Sequence, residues 1–158
     1  MSKEFRVRIL EGLIVVACIV FFSYFAIEGM NDLRDVGKVE QIQQDLKELR
    51  TALEKYYEKT GTYPNLLQEG AKDNLSILDY ENARGEKISF AEIYGKNSLP
   101  KTAGTKLLPA SNSIYDISDF NQGNNQGGWN YNYSQFTGEI HANIAEDTFM
   151  QKIDWKRQ

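Results

Sequence analysis

Histidine, cysteine and proline are scarce in this chain of 158 residues, which has one histidine, one cysteine and three prolines. Because a lone cysteine has no partner, an intramolecular disulfide and a thiolate metal site are both excluded. His141, the only histidine, has no obvious nucleophile or metal partner nearby, so we expect it to have a surface or packing role. The sequence also has no phosphate-binding glycine motif, and no paired-carboxylate site can be placed. We therefore predict that the protein is not an enzyme.

Basic residues are also in short supply. The net charge is −4, and the chain beyond residue 27 carries 15 basic and 20 acidic side chains. Binding to nucleic acid requires clustered lysine and arginine to displace counterions from phosphates. We therefore expect no direct contact with nucleic acid.

Charged side chains are absent from Gly12 to Ile27, where the hydrophobicity is concentrated. The segment 9–27 is about 28 Å long as a helix, close to the thickness of the bilayer core. Basic residues precede it and acidic residues dominate after it, which predicts a cytoplasmic N-terminus. The sequence thus predicts a single-pass protein of the bacterial inner membrane, with its C-terminal domain in the periplasm or outside the cell.

Two other interpretations of this segment stay open. A conventional signal peptide requires small residues at its cleavage site, and the residues around Phe25, Ala26 and Ile27 fit poorly. Val15-Val16-Ala17-Cys18 resembles the lipobox of bacterial lipoproteins, but an apolar run follows Cys18 where a polar tether is usual. A small residue facing lipid or another helix is the simplest interpretation of Cys18.

An amphipathic helix is predicted after the apolar segment, because apolar residues recur there at spacings of three and four. They are Val39, Ile42, Leu46, Leu49, Leu53 and Tyr56. Asp45, Lys47, Glu48, Arg50, Glu54 and Lys55 are predicted to fill the opposite face. Gly61 and Pro64 supply a stop. The simplest prediction is one helix from about residue 6 to about residue 59.

Beyond Pro64 the helical period disappears. The alternation in 113–118 predicts a strand, and 129–133 and 139–144 predict a hairpin, with a loop rich in asparagine, glutamine and glycine at 119–128. We therefore predict an α+β fold in which a small antiparallel sheet covers the apolar face of the long helix. The predicted organisation is a cytoplasmic leader-like segment (1–8), a transmembrane helix (9–27), its amphipathic continuation (28–60) and a globular α+β head (61–158).

Two blocks of sequence resemble type IV pilin-like proteins, in particular the pseudopilins of type II secretion. The first, residues 45–64, contains an Ala-Leu pair, then tyrosine, then a glycine turn that closes in Tyr63-Pro64. The second is Gly128-Trp-Asn-Tyr-Asn followed by Thr137-Gly-Glu-Ile and Asn143, similar to the closing hairpin of many pseudopilins. With the N-terminal segment these blocks span about half of the chain.

The resemblance implies a pilin-like fold and an assembly role for Glu11, which in this family is thought to meet the N-terminal amine of a neighbouring subunit. It also implies that prepilin peptidase cleaves the chain between Arg6 and Val7 and that methylation follows. Here the sequence departs from the pattern, because Arg6 replaces the usual glycine and Val7 the usual aromatic residue. Glu11 also lies three residues after Arg8, with which it can pair on a helix.

Some pseudopilins bind calcium in a C-terminal loop. Asp116, Asp119 and Asn121 are candidate oxygen ligands here, although their spacing matches no defined motif and a solvated loop is the simpler interpretation. We therefore expect no cofactor, with Ca²⁺ as the only candidate.

The resemblance implies a structural subunit that polymerises through its N-terminal helix. Its partners would be copies of itself or other pilins, the inner membrane and a secretion or pilus assembly platform. The alternative is a membrane-anchored envelope protein that does not polymerise and uses a pilin-like domain for binding. Replacement of Glu11 by alanine separates the two, since only filament incorporation requires Glu11.

Overall fold

The fold is described from a computed structural model, which covers residues 3–149 and 151–158; within the first helix it describes the side chains at 8, 11–27, 29, 30 and from 34 onward. That helix, α1, is Lys3–Thr60. It ends where the sequence predicts, because Gly61 takes a left-handed conformation with φ 73°, which favours glycine. The Gly61 amide donates to the Tyr57 carbonyl at 2.7 Å.

The prediction that 9–27 spans a membrane is wrong, and with it the localisation to the inner membrane. In the part of the chain that the structure describes, no helix is both long and apolar enough to cross a bilayer.

The chain divides into two compact units, Met1–Gly37 and Lys38–Gln158. In the second unit, the part of α1 beyond Lys38 presents the predicted apolar stripe to the core. All six stripe residues are at most 4% exposed, because the remainder of this unit covers that face. From Val39 to Tyr56, the predicted stripe is therefore the buried face of the helix.

The predicted hairpin is confirmed. Strand β4 (Trp129–Tyr131) pairs antiparallel with β5 (Ile140–Ala142). The indole nitrogen of Trp129 donates to the Pro100 carbonyl at 2.8 Å, and the Tyr131 hydroxyl donates to the Pro64 carbonyl at 3.0 Å. Burial of both aromatic residues with their polar ends satisfied fixes the hairpin against the segments that surround it.

The prediction of a purely antiparallel sheet is wrong. Strand β3 (Ile114–Asp116) lies within the predicted segment 113–118 but runs parallel to β4, in a three-stranded sheet of order β3-β4-β5. A parallel neighbour requires a crossover rather than a tight turn. The long 119–128 loop, with a 3₁₀ turn at Phe120–Gln122, supplies that crossover.

The segment 66–109 contains short elements that no sequence pattern predicted. A 3₁₀ turn at Leu75–Ile77 leads into a second, two-stranded sheet of β1 (Asp79–Glu81) and β2 (Lys87–Ser89), which pair antiparallel. A short helix, α2 (Phe90–Tyr94), follows. Phe90 is fully buried and meets Tyr56 of α1 edge-on at 5.6 Å between ring centroids. Each of these strands has one apolar residue, Tyr80 or Ile88, between polar ones, and that alternation is too short to predict a strand.

Candidate assembly surface

The largest uncovered apolar surface in the described part of the chain lies on α1. From Leu13 to Ile27 it carries eleven large apolar side chains, each between 54% and 69% exposed. They point to all sides, since a run this long without a charged residue leaves no charged face on a helix. We call residues 13–27 the apolar segment. Within it, the rings of Phe21 and Phe25 contact each other one turn apart, at 4.7 Å between centroids.

Two charged residues precede the apolar segment within about one and a half turns. Arg8 and Glu11 are both exposed, and among the described residues no salt bridge joins them. The predicted pairing of Glu11 with Arg8 within one chain is therefore not made. If other molecules cover the apolar segment, the Glu11 carboxylate is removed from water as well. A carboxylate in that position requires a positive partner.

The predicted processing site cannot be described at the level of side chains. Arg6 and Val7 belong to α1, but their side chains lie outside the described residues. The site therefore stays a prediction from the sequence.

The candidate calcium ligands do not converge on one point. They take part in local hydrogen bonds instead. Asp116 accepts from the backbone amides of Tyr133 and Ser134, each at 3.2 Å, and from the Ser134 hydroxyl. These bonds, that of the Ser134 hydroxyl above all, hold the pKa of Asp116 below its usual value. The Asp116 carboxylate thereby ties the end of β3 to the turn that follows β4.

Asp119 and Asn121 form a separate group. The Asp119 carboxylate accepts from the Asn121 amide at 3.0 Å and from the Gln122 side chain at 3.0 Å, which caps the 3₁₀ turn and lowers the pKa of Asp119. In the described residues, no group of three or more histidine, cysteine, aspartate or glutamate side chains is placed to hold a metal ion.

His141 is buried in β5, in agreement with the predicted packing role. Its Nε2 lies 2.9 Å from a Glu139 carboxylate oxygen, and its Nδ1 lies 3.3 Å from both the Arg50 guanidinium and the Trp155 carbonyl. The ring also contacts Phe120 at 4.3 Å between centroids. The imidazole therefore joins β5 to α1, to the crossover loop and to the C-terminal tail.

Two polar residues of α1 were wrongly placed on its exposed face by the sequence. Arg50 is half-buried and donates through Nε and Nη2 to the Ile140 carbonyl, at 3.1 and 2.8 Å, and burial lowers its pKa. Asp45 is 4% exposed and accepts from Gln41 at 3.0 Å. The Lys96 ammonium lies 3.4 Å from Asp45 and 2.7 Å from Glu48. A signal for Asp45 was available, because it stands three residues after Ile42 and directly before Leu46.

No protein-family model matches the chain, and neither a curated protein nor a solved structure is significantly similar to it.

Proposed function

We propose that this chain is a structural subunit of a pilin-like filament and that it assembles through the apolar segment of α1. The observation that carries the proposal is the exposure of eleven large apolar side chains on all sides of one helix. In the proposed assembly, apolar segments of several copies of the chain surround one another. The head, residues 61–158, remains on the outside.

The free energies of burial favour assembly with several neighbouring copies of the chain over assembly with one. Complete burial of a large apolar side chain contributes roughly 1.5–3 kcal/mol, so covering a side chain that is half-exposed contributes about 1 kcal/mol. Complete coverage of the apolar segment then provides on the order of 10 kcal/mol, against an association cost of about 4–15 kcal/mol. A single partner covers only one side and recovers a fraction of this. A helical array with neighbours on every side recovers most of it.

Glu11 is proposed to guide each subunit into register. Its carboxylate lies at the edge of the apolar segment without a salt bridge to Arg8, and it would be desolvated on assembly. A positive group of a neighbouring copy, such as the N-terminal amine that the pilin resemblance implies, would compensate for that desolvation. A subunit in the wrong register leaves the carboxylate unpaired and is rejected.

Filaments of this kind extend a pseudopilus in type II secretion or form part of a pilus. The resemblance of residues 45–64 and of the closing hairpin to pseudopilins supports this setting. In it, an assembly platform and other pilins are the partners. Prepilin peptidase, cutting between Arg6 and Val7, is the processing enzyme. An intact mass of the natural protein that begins at Val7 supports that step, and one that begins at Met1 rejects it.

The test compares filaments of full-length variants by negative-stain electron microscopy. Val16→Glu places a charge in the middle of the apolar segment and should abolish filaments, and Glu11→Ala should reduce them strongly. Lys47→Glu, on the exposed face of the C-terminal part of α1, is the charge-changing control and should leave them intact. Wild-type protein that stays monomeric after detergent is removed would instead favour a non-polymerising domain that binds another protein.

A further inference from the structure

Two side chains of the C-terminal unit are far more exposed than the other large apolar residues that the structure describes there. Leu107 is 97% exposed and Phe136 is 75% exposed, whereas the next two, Tyr57 and Ile77, are 45% and 38% exposed. Neither residue contributes to the core of its own chain. A single exposed leucine is ordinary, so the local structure around each residue decides whether it carries an argument.

Leu107 stands on a rigid loop. We call residues 105–108 the basic tip, because Lys106 lies there and Lys101 precedes it. The Thr105 hydroxyl accepts from the amides of Leu107 and Leu108, and the Thr105 amide donates to the Leu108 carbonyl at 2.7 Å. A bridge between Thr102 and Ser111 closes the base of the loop. These bonds fix the backbone of the loop and hold Leu107 outward.

Phe136 is held outward at an energetic cost. Its φ of 57° lies in the left-handed region, which costs a residue with a side chain roughly 1–2 kcal/mol. Asparagine and glycine adopt this conformation much more easily. A large aromatic residue at such a position, with most of its ring in water, is not held there by burial in the core of its own chain. Strain of this kind often marks a functional position.

Phe136 belongs to an aromatic surface. We call Tyr57, Tyr63, Tyr133 and Phe136 the aromatic patch. Tyr57 and Tyr63 stack at 4.6 Å between centroids, and Tyr133 meets Phe136 at 6.2 Å. Gly138 joins the two pairs, since a Cβ added there would lie 2.2 Å from a Tyr63 ring carbon. The Tyr63 ring therefore rests directly on the backbone of the turn that carries Phe136.

The basic tip and the aromatic patch are complementary in charge as well as in polarity. Lys101 and Lys106 at the tip are exposed. At the patch, the Asp116 carboxylate accepts from the Tyr133 amide at 3.2 Å. Glu54 is exposed on α1, three residues before Tyr57 and therefore on the same side of the helix. One surface thus offers a leucine with lysines, and the other offers aromatic rings with carboxylates.

We propose that the basic tip of one copy of this chain docks into the aromatic patch of the next copy, with Leu107 against the rings of Tyr57, Tyr63 and Phe136, and Lys106 near Glu54. Because the two surfaces differ, the contact is head-to-tail and leaves a free tip and a free patch at the two ends. Contacts of that type propagate into rings or open filaments rather than closed dimers. The inference rests on the proposed filament function, to which it adds a contact between heads.

The experiment uses photo-cross-linking of the full-length chain in mild detergent, which covers the apolar segment and isolates contacts between heads. Leu107 is replaced by benzoylphenylalanine, and the protein is mixed with isotope-labelled wild-type protein so that links between copies are recognised by mass. We expect links to residues 57–63 and 133–138 of the labelled copy. The same cross-linker at Ile77, outside the tip, is the control and should give no such links.

Two sets of variants in the labelled partner separate the patch from the overall fold. Phe136→Asn relieves the left-handed strain, so it should keep or raise the melting temperature. It should also lower the yield of links at least about fivefold, as loss of an aromatic anchor does. Lys106→Glu in the cross-linking copy should lower the yield about two- to fivefold, the range for one exposed ion pair. Glu54→Lys in the partner should restore it.

The outcomes separate this inference from the proposed function. Absence of links between copies, links to other residues, or a yield unaffected by Phe136→Asn would overturn the head contact. If filaments still form without detergent in that case, the filament function stands alone. Links between tip and patch without any filaments would retain the contact and reject the filament.

Discussion

Large apolar side chains are buried in one half of α1 and exposed in the other. Leu49 is fully buried, whereas Leu13 on the same helix is 62% exposed. In the half after Lys38, apolar residues follow the helical period and the sheets, α2 and the tail cover them. In the apolar segment they point to all sides, so a single covering element cannot bury them. Hydrophobicity alone does not decide burial within a chain; the pattern decides which surface its own fold covers and which is left for other molecules.

The largest effect that we predict comes from making one substitution in both halves. Leu49→Ala should lower the free energy of unfolding by about 3 kcal/mol, since it removes a buried side chain and leaves a cavity. Leu13→Ala should change it by less than about 0.5 kcal/mol, because an exposed side chain loses little on truncation. Urea denaturation of both variants in detergent, monitored by the fluorescence of the buried Trp129 and Trp155, checks the comparison. Equal losses at the two positions would contradict it.

An intermediate effect is predicted at the turn between β4 and β5. Gly138→Ala should lower the free energy of unfolding by about 2 kcal/mol, because the new methyl group meets the Tyr63 ring and the backbone has a φ of 67°. Gly12→Ala in the other half has open space around the Cβ and should be neutral or slightly stabilising, since alanine favours helix over glycine. Thermal denaturation of the two variants measures the difference. A neutral Gly138→Ala would show that Tyr63 does not pack on this turn.

The smallest effect is a pH dependence that is confined to the C-terminal unit. The pKa of Asp116 is lowered in the folded state, so its hydrogen bonds stabilise the fold above the unfolded pKa of about 4. That stability is lost as the pH falls through the folded pKa. Asp116→Asn should therefore be less stable than wild type at pH 7, and the difference should shrink below about pH 4. Urea midpoints at pH 7 and pH 3 measure the change; a difference that stays constant would contradict it.

Some elements of the fold could be predicted from the sequence and others could not. The stripe on α1, the end of the helix near Gly61 and the β4–β5 hairpin had a clear period or a turn residue, and the structure confirms them. The β1–β2 sheet was missed because each of its strands has only one apolar residue in its alternation. The parallel pairing of β3 depends on a contact between segments separated in sequence, which no local pattern records. The buried positions of Asp45 and Arg50 were missed for a related reason, because each is satisfied by groups brought to it by the fold.

For the candidate assembly surface, the sequence predicted the apolar segment and Glu11 but assigned the segment to a membrane span, which the structure does not support. Sequence reasoning did not find the basic tip or the aromatic patch. In the sequence, nothing distinguishes Leu107 from other loop residues. The left-handed conformation of Phe136 is visible only in the backbone of the structure. The order of Tyr57, Tyr63, Tyr133 and Phe136 along the chain gives no sign that they form one surface.

The central claim is that copies of the chain cover the apolar segment, and the alkylation rate of Cys18 tests it most directly. Cys18 is the only cysteine, and it is exposed within that segment. After detergent is removed, its reaction with a small maleimide should be at least about tenfold slower in the wild-type protein than in Val16→Glu, since packing removes the thiol from water. Val16→Glu should not assemble, so its Cys18 stays exposed and serves as the reference. Equal rates for the two proteins without detergent would contradict the account.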